Sequence, residues 1–184
     1  MNFEQIINKY YPEADKLRDI LYVHSRNVAD YAVEILYRHP ELQVDRDFVY
    51  SAAMLHDIGI IRCDARGIEC FGTEPYICHG TIGARMLREE LGLPPDEVEP
   101  YARICERHTG TGLTKSQIVC GNLPLPHIDL VPETLEEQIV CYADKFFSKT
   151  RPGERKAYER VEHSLLKFGE DGVCKFRTWH KLFG

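Results

Sequence analysis

The chain has 184 residues, 43% hydrophobic and 28% charged, which suits one globular domain with a single core and excludes a disordered or fibrous chain. With 23 basic and 29 acidic side chains the formal net charge is −6, so a broad basic footprint for nucleic acid is not expected. No run approaches the ~18 apolar residues of a membrane span, and Met1-Asn2-Phe3-Glu4-Gln5 lacks the basic-then-apolar profile of a signal peptide; the expected location is the cytoplasm.

Helical periodicity runs the length of the chain. Over 13–37 the positions Leu17, Ile20, Leu21, Val28, Tyr31, Ala32 and Ile35 share one helix face. The segment 45–61 opens at Asp45, a good N-cap type, carries Phe48, Val49, Ala52, Ala53 and Leu55, and ends at Gly59. Residues 62–74, with glycines and charge pairs around Phe71, read as irregular. Glu74-Pro75 opens a third helix, which carries Ile82, Met86, Leu87 and Leu91 and stops at Gly92. Pro94-Pro95-Asp96 opens a fourth, through Val98, Tyr101, Ile104 and Cys105 to His108. Residues 109–131 read as a long connection, and a loop of that length in a compact domain is usually functional. Pro132-Glu133-Thr134 opens a fifth helix, with Leu135, Ile139, Val140, Ala143, Phe146 and Phe147. Two further helices fill 154–168 and 171–182. The expectation is one all-α domain over 1–184, a single-domain helical bundle.

The seven cysteines are odd in number, and no two are spaced Cys-x-x-Cys. A disulfide framework or zinc knuckle is not indicated, and most of them read as small buried apolar residues.

The chemistry lies in polar groups set in apolar places. His24 falls between Leu21 and Val28 on the buried helix face. His56-Asp57 closes the apolar run Ser51-Ala52-Ala53-Met54-Leu55 and needs partners there. Asp144 sits inside Ile139-Val140-Cys141-Tyr142-Ala143 and Phe146-Phe147. Its charge requires a cation or a metal; the plainer alternative is an ion pair with Arg26 or Lys145. His79 stands in the first turn of its helix before Gly80 and Gly83, and His108 ends its helix before Thr109-Gly110-Thr111-Gly112. Four imidazoles and two carboxylates suit Fe, Mn, Zn, Co or Ni better than Ca or soft-thiolate metals, with Mg allowed. His39, His127, His163 and His180 read as surface residues.

The order His24, His56-Asp57, Asp144 resembles the HD-domain superfamily of metal-dependent phosphohydrolases. The string His56-Asp57-Ile58-Gly59 matches its HDIG subgroup, and Cys105-Glu106-Arg107-His108-Thr109-Gly110-Thr111-Gly112-Leu113 resembles an uncharacterised branch. The motif-bearing core spans about 20–150, with C-terminal helices over 154–182. The resemblance implies that His24, His56, Asp57 and Asp144 bind one divalent metal. It further implies that His79 and His108 hold a second, with Asp57 bridging. Ile60 stands where the cyclic-dinucleotide branch carries lysine, and Gly112-Leu113-Thr114 replaces its Gly-Tyr-Pro, so the chain departs from that branch.

The implied activity is hydrolysis of a phosphomonoester, phosphodiester or phosphoanhydride of a small molecule, a nucleotide, by metal-activated water, with Asp57 and Lys145 as catalytic residues. Lys145, Arg107, Lys115 and Arg151 are the expected phosphate contacts. No membrane or extended nucleic-acid partner is expected, and the oligomeric state is left open. Two alternatives use the same ligand types: a metal-binding regulatory or ligand-sensing domain with little turnover, and an HD-type di-iron oxygenase.

Overall fold

The computed structural model describes residues 1–90 and 93–184. A short first helix, α1 (Phe3–Tyr10), precedes the predicted ones; Asn2 caps it by accepting from the Gln5 amide, and Ile6, Ile7 and Tyr10 are buried. Helix α2 (Lys16–Arg38) starts later than the periodicity suggests, because Asp15 caps the Arg18 amide at 2.9 Å. Helix α3 (Arg46–Leu55) opens at Asp45, whose carboxylate accepts from the Asp47 and Phe48 amides. It stops at Leu55, and a 3-10 turn over Ile58–Arg62 follows, so the apolar run to Gly59 is not one helix.

Residues 62–74, expected to be irregular, contain a small sheet. Strand β1 (Cys63–Ala65) pairs antiparallel with β2 (Cys70–Phe71) and parallel with β3 (Glu74–Pro75). Glu74-Pro75 therefore does not open a helix: Pro75 is extended and the pair lies alongside Cys63-Asp64. After a 3-10 turn, α4 spans His79–Glu90. The predicted end of this helix at Leu91-Gly92 lies outside the described residues. Helix α5 (Pro95–Arg107) begins on a proline, whose missing N–H costs nothing at that position. The long connection after it holds a further helix, α6 (Lys115–Cys120), closed by a reciprocal cap between Thr114 and Gln117. Helix α7 (Leu135–Asp144) carries the same device between Thr134 and Glu137. Helices α8 (Tyr158–Leu165) and α9 (Glu170–Phe183) complete the chain.

The helices enclose a contiguous apolar core: α2 packs against α3 and α7, and α4 against α5. Five of the seven cysteines, Cys63, Cys70, Cys78, Cys105 and Cys141, are buried in it. Phe176 and Phe183 of α9 lie against the fully buried Tyr142 ring. His180 is not a plain surface residue: its Nδ1 lies 2.7 Å from the Tyr142 hydroxyl, and its ring stacks on Tyr158.

Two glycines let three backbones meet. A Cβ at Gly59 would overlap the His79 carbonyl and the Gly83 amide, and one at Gly80 would overlap the Cys105 carbonyl. The turn after α3, the start of α4 and the end of α5 can thus converge. Gly59→Ala should lower stability by about 1–3 kcal/mol, the usual cost of overpacking. A denaturant midpoint unchanged from wild type would contradict this close approach.

Candidate metal centre

The convergence of helix ends brings the polar groups together. His56 and Asp57 follow the last residue of α3, His79 begins α4, His108 follows the end of α5, and Asp144 ends α7. His24 projects from the middle of α2. His24, His56, Asp57, His79 and His108 are all buried. One candidate metal group is His24, His56, Asp57 and Asp144, and the other is Asp57, His79 and His108.

Asp57 stands at the centre. Its Oδ2 lies 2.9 Å from His56 Nε2 and 3.1 Å from His24 Nε2. Its Oδ1 faces the other side, 3.4 Å from His79 Nε2 and 3.5 Å from His108 Nε2. Asp144 Oδ1 is 3.0 Å from His24 Nε2 and 3.6 Å from His56 Nε2.

Three of the imidazoles are oriented by the backbone. Nδ1 of His56, His79 and His108 lies 2.6, 2.6 and 2.7 Å from the carbonyls of Ala53, Tyr76 and Cys105. A carbonyl only accepts, so each Nδ1 carries a proton and each Nε2 faces the centre; at His79 and His108, which burial holds neutral, that Nε2 presents a lone pair. The Nε2 atoms of His79 and His108 then face each other at 2.9 Å. Two lone pairs at that distance repel unless a proton or cation lies between them. Moreover, both Asp57 oxygens and Nε2 of His24 and His56 are buried without a well-formed hydrogen bond. These donors fit a divalent transition metal in both groups: imidazole nitrogen with carboxylate oxygen, three of the four imidazoles held from behind by backbone carbonyls.

Charge follows the same geometry. Burial opposes ionisation of Asp57, but the His56 charge and the Lys149 ammonium override it and hold the carboxyl well below its ordinary range. Burial also opposes the charge on Asp144, and Lys145 at 2.7 Å, with His24 and His56, reverses the balance. For His79, burial dominates and neighbouring His108 adds to it, pulling the imidazole down to about 3. A neutral imidazole is the form that ligates a metal.

The centre forms the floor of a cavity of about 460 Å³. Tyr76, Phe147, Ile68 and Leu165 supply apolar wall, and Tyr76 stacks on His79 with centroids 4.7 Å apart. Five cations line it, Arg66, Lys145, Lys149, Lys156 and Lys167, against the carboxylate of Asp144.

The family profile described as HD domain matches residues 21–148. The chain belongs to the HD-domain family. This HD domain is 38% identical over 130 residues to an uncharacterised protein of Methanocaldococcus jannaschii, covering 70% of this chain and 66% of that one. It is also 32% identical over 164 residues to a protein of Thermoplasma volcanium named tRNA (cytidine(56)-2'-O)-methyltransferase. A protein of Picrophilus torridus with the same name is 33% identical over 163 residues. Those two matches cover 89% and 82% of this chain but 42% and 40% of the relatives. The chain thus spans between two-fifths and two-thirds of the curated relatives it matches. Among solved structures, the HD domain of the Listeria monocytogenes phosphodiesterase PgpH superposes with a TM-score of 0.56 at 20% identity. That superposition covers 99% of this chain and 86% of the other, and it shows the fold alone.

The residues expected to contact phosphate divide. Lys145 lines the cavity, its ammonium held between Asp144 Oδ2 and the His108 carbonyl at 2.7 and 2.8 Å. Arg107 does not line it: its guanidinium is turned to the Val131 carbonyl and Glu133. Lys115 stands at the start of α6, where its amide is bonded to Asp129, and does not line the cavity either. Arg151 borders a smaller neighbouring cavity. Arg26, the alternative partner for Asp144, pairs instead with Asp30 on the exposed face of α2. Sequence reasoning missed Lys149, whose Nζ lies 2.5 Å from Asp57 Oδ2. It stands in the polar turn Ser148-Lys149-Thr150, where no periodicity or cap marks it.

Proposed function

We propose that this HD domain is a metal-dependent phosphohydrolase of small phosphorylated molecules, with nucleotides as the favoured substrates. One observation carries the reading. Four imidazoles and two carboxylates converge at the floor of a lysine-lined cavity. Residues 1–184 act in this reading as one unit, with the core at about 20–150 and, of the C-terminal helices within 154–182, α8 and the turn after it lining the cavity through Ser164, Leu165 and Lys167.

The proposed ligands are His24, His56, Asp57 and Asp144 for one ion, and Asp57, His79 and His108 for a second. A divalent metal bound there supplies Lewis acidity and lowers the pKa of water. The chain's own contribution is positional. The backbone carbonyls of Ala53, Tyr76 and Cys105 fix three imidazole planes. Lys145 and Lys149 place two ammonium groups at the floor, beside Asp144 and Asp57, where a phosphoryl oxygen can accept from them. The apolar walls exclude water from one side of the ligand. The cavity volume falls within the range that holds a drug-sized or nucleotide-sized molecule.

The test is phosphate release from a panel of phosphomonoesters, phosphodiesters and nucleotides. Chelator-stripped protein is assayed before and after reloading with Mn, Fe, Co, Ni, Zn or Mg. Release that requires added metal and is lost again on chelation is expected. Tight metal binding with no turnover on any substrate would overturn the hydrolase and leave a metal-stabilised regulatory domain.

A further inference from the structure

Beside the main cavity lies a second of about 220 Å³, and the two share Ser148, Thr150 and Lys156. Arg151, Glu154 and Arg160 complete its lining. Lys156 stands on the wall between them. Its Nζ donates to the carbonyls of Lys145 and Phe147, each at 2.9 Å. No carboxylate among the described residues pairs with it; Glu154, the acid of this wall, is engaged by Arg160 at 2.9 Å and approached by Arg151 at 4.0 Å. Within hydrogen-bond distance this half-buried ammonium meets only neutral oxygens, so no direct carboxylate partner compensates its charge. The Ser148 and Thr150 hydroxyls, 3.0 Å apart, add neutral donors on the same wall.

Charge is distributed unevenly across the two cavities. At the floor, Lys145 faces Asp144 and Lys149 faces Asp57, one cation to one carboxylate. Among the described residues lining the smaller cavity, Lys156, Arg151 and Arg160 are three cations to the one carboxylate of Glu154, with Asp144 acting on Lys156 from the main cavity. This excess of positive charge occurs in a chain whose formal net charge is −6. Lys156, Ser148 and Thr150 line both cavities, whereas Arg151 and Arg160 line the smaller one and not the main one. A molecule seated in the main cavity can therefore set a second anionic group against the shared wall.

We propose that the wall formed by Lys156, Ser148, Thr150, Arg151 and Arg160 is a second anion site that takes a further phosphoryl group of the substrate. The substrate class is then a molecule with two or more phosphoryl groups, either a linear oligophosphate or a bisphosphate, rather than a simple monoester. Ammonium, guanidinium and hydroxyl donors converging from different directions suit a tetrahedral phosphoryl group with several acceptor oxygens. The substrate assignment rests on the hydrolase reading, but the anion site can be tested without turnover.

Binding of inorganic tripolyphosphate, adenosine 3',5'-bisphosphate and orthophosphate to the full chain in chelator is measured by calorimetry. At least one of the two larger probes should bind about tenfold or more tightly than orthophosphate. Tripolyphosphate as the tighter one indicates a linear chain, and the bisphosphate indicates separated groups. Arg160→Ala and Lys156→Met should each shrink that preference several-fold. Arg46→Ala, which removes one charge at the far end of α3, should leave it intact. Lys156 also holds two backbone carbonyls, so the exposed Arg160 provides the variant that keeps the fold. A preference absent in wild type, unmoved by Arg160→Ala, or equally reduced by Arg46→Ala overturns the site. Absence of phosphate release in the metal assay overturns the hydrolase alone.

Discussion

Asp57→Ala is expected to abolish metal retention and phosphate release together, with the rate falling by at least about 10³-fold, the scale on which enzymes lose activity when a central group is removed. The two Asp57 oxygens face opposite ways, Oδ2 toward His24 and His56, Oδ1 toward His79 and His108. Each proposed ion therefore loses a carboxylate, and the negative charge it supplies. The metal-free protein should suffer as well. Lys149 is buried against Asp57, and truncating one partner of a buried charge pair costs about 3–5 kcal/mol. Adding Lys149→Met to Asp57→Ala removes the stranded ammonium, so the double variant should recover stability and recover no activity. Elemental analysis, a chemical denaturation curve and the phosphate assay read the three quantities separately. Full metal occupancy with wild-type rates in Asp57→Ala would show that the assignment is wrong.

His79→Ala and His108→Ala should each lower the bound metal by about one ion while the group around His24 stays filled. The two imidazoles belong to different helices, yet their Nε2 atoms lie 2.9 Å apart and share Asp57 Oδ1. With both Nδ1 protons committed to backbone carbonyls, neither ring can donate to the other, and removing either leaves too few donors for a second ion. A pair of ions can hold both the attacking and the leaving oxygen of an in-line displacement, so each variant should also lose most of its rate. Metal counts on protein purified without chelator decide the matter. If His79 and His108 served only as hydrogen-bond donors to substrate, both variants would keep the wild-type count and show a raised KM instead. That result would leave a one-ion centre.

The sequence alone determined what is local. Apolar spacing placed α2, α5 and α7 within a few residues of their observed limits and α3 at its start, though not at its end, because a helix face repeats every 3.6 residues. Asp45 was readable as a cap, since an N-cap bonds only to amides two or three residues on. His24, His56-Asp57 and Asp144 were conspicuous because an imidazole or carboxylate in an apolar run needs a partner. The capping box Thr114-x-x-Gln117 was also in the sequence and would have revealed α6. The two- and three-residue strands are too short to show any alternation, and their pairing is a tertiary contact. Only the tertiary structure placed the remaining groups. Lys149 reaches Asp57, 92 positions earlier in the sequence, because the chain turns back after α7. Arg107, Lys115 and Arg151 were read with Lys145 as phosphate contacts, yet the fold places them at Glu133, at the start of α6 and at the neighbouring cavity. A side chain's charge is written in the sequence, but the counter-charge it meets depends on how distant segments pack.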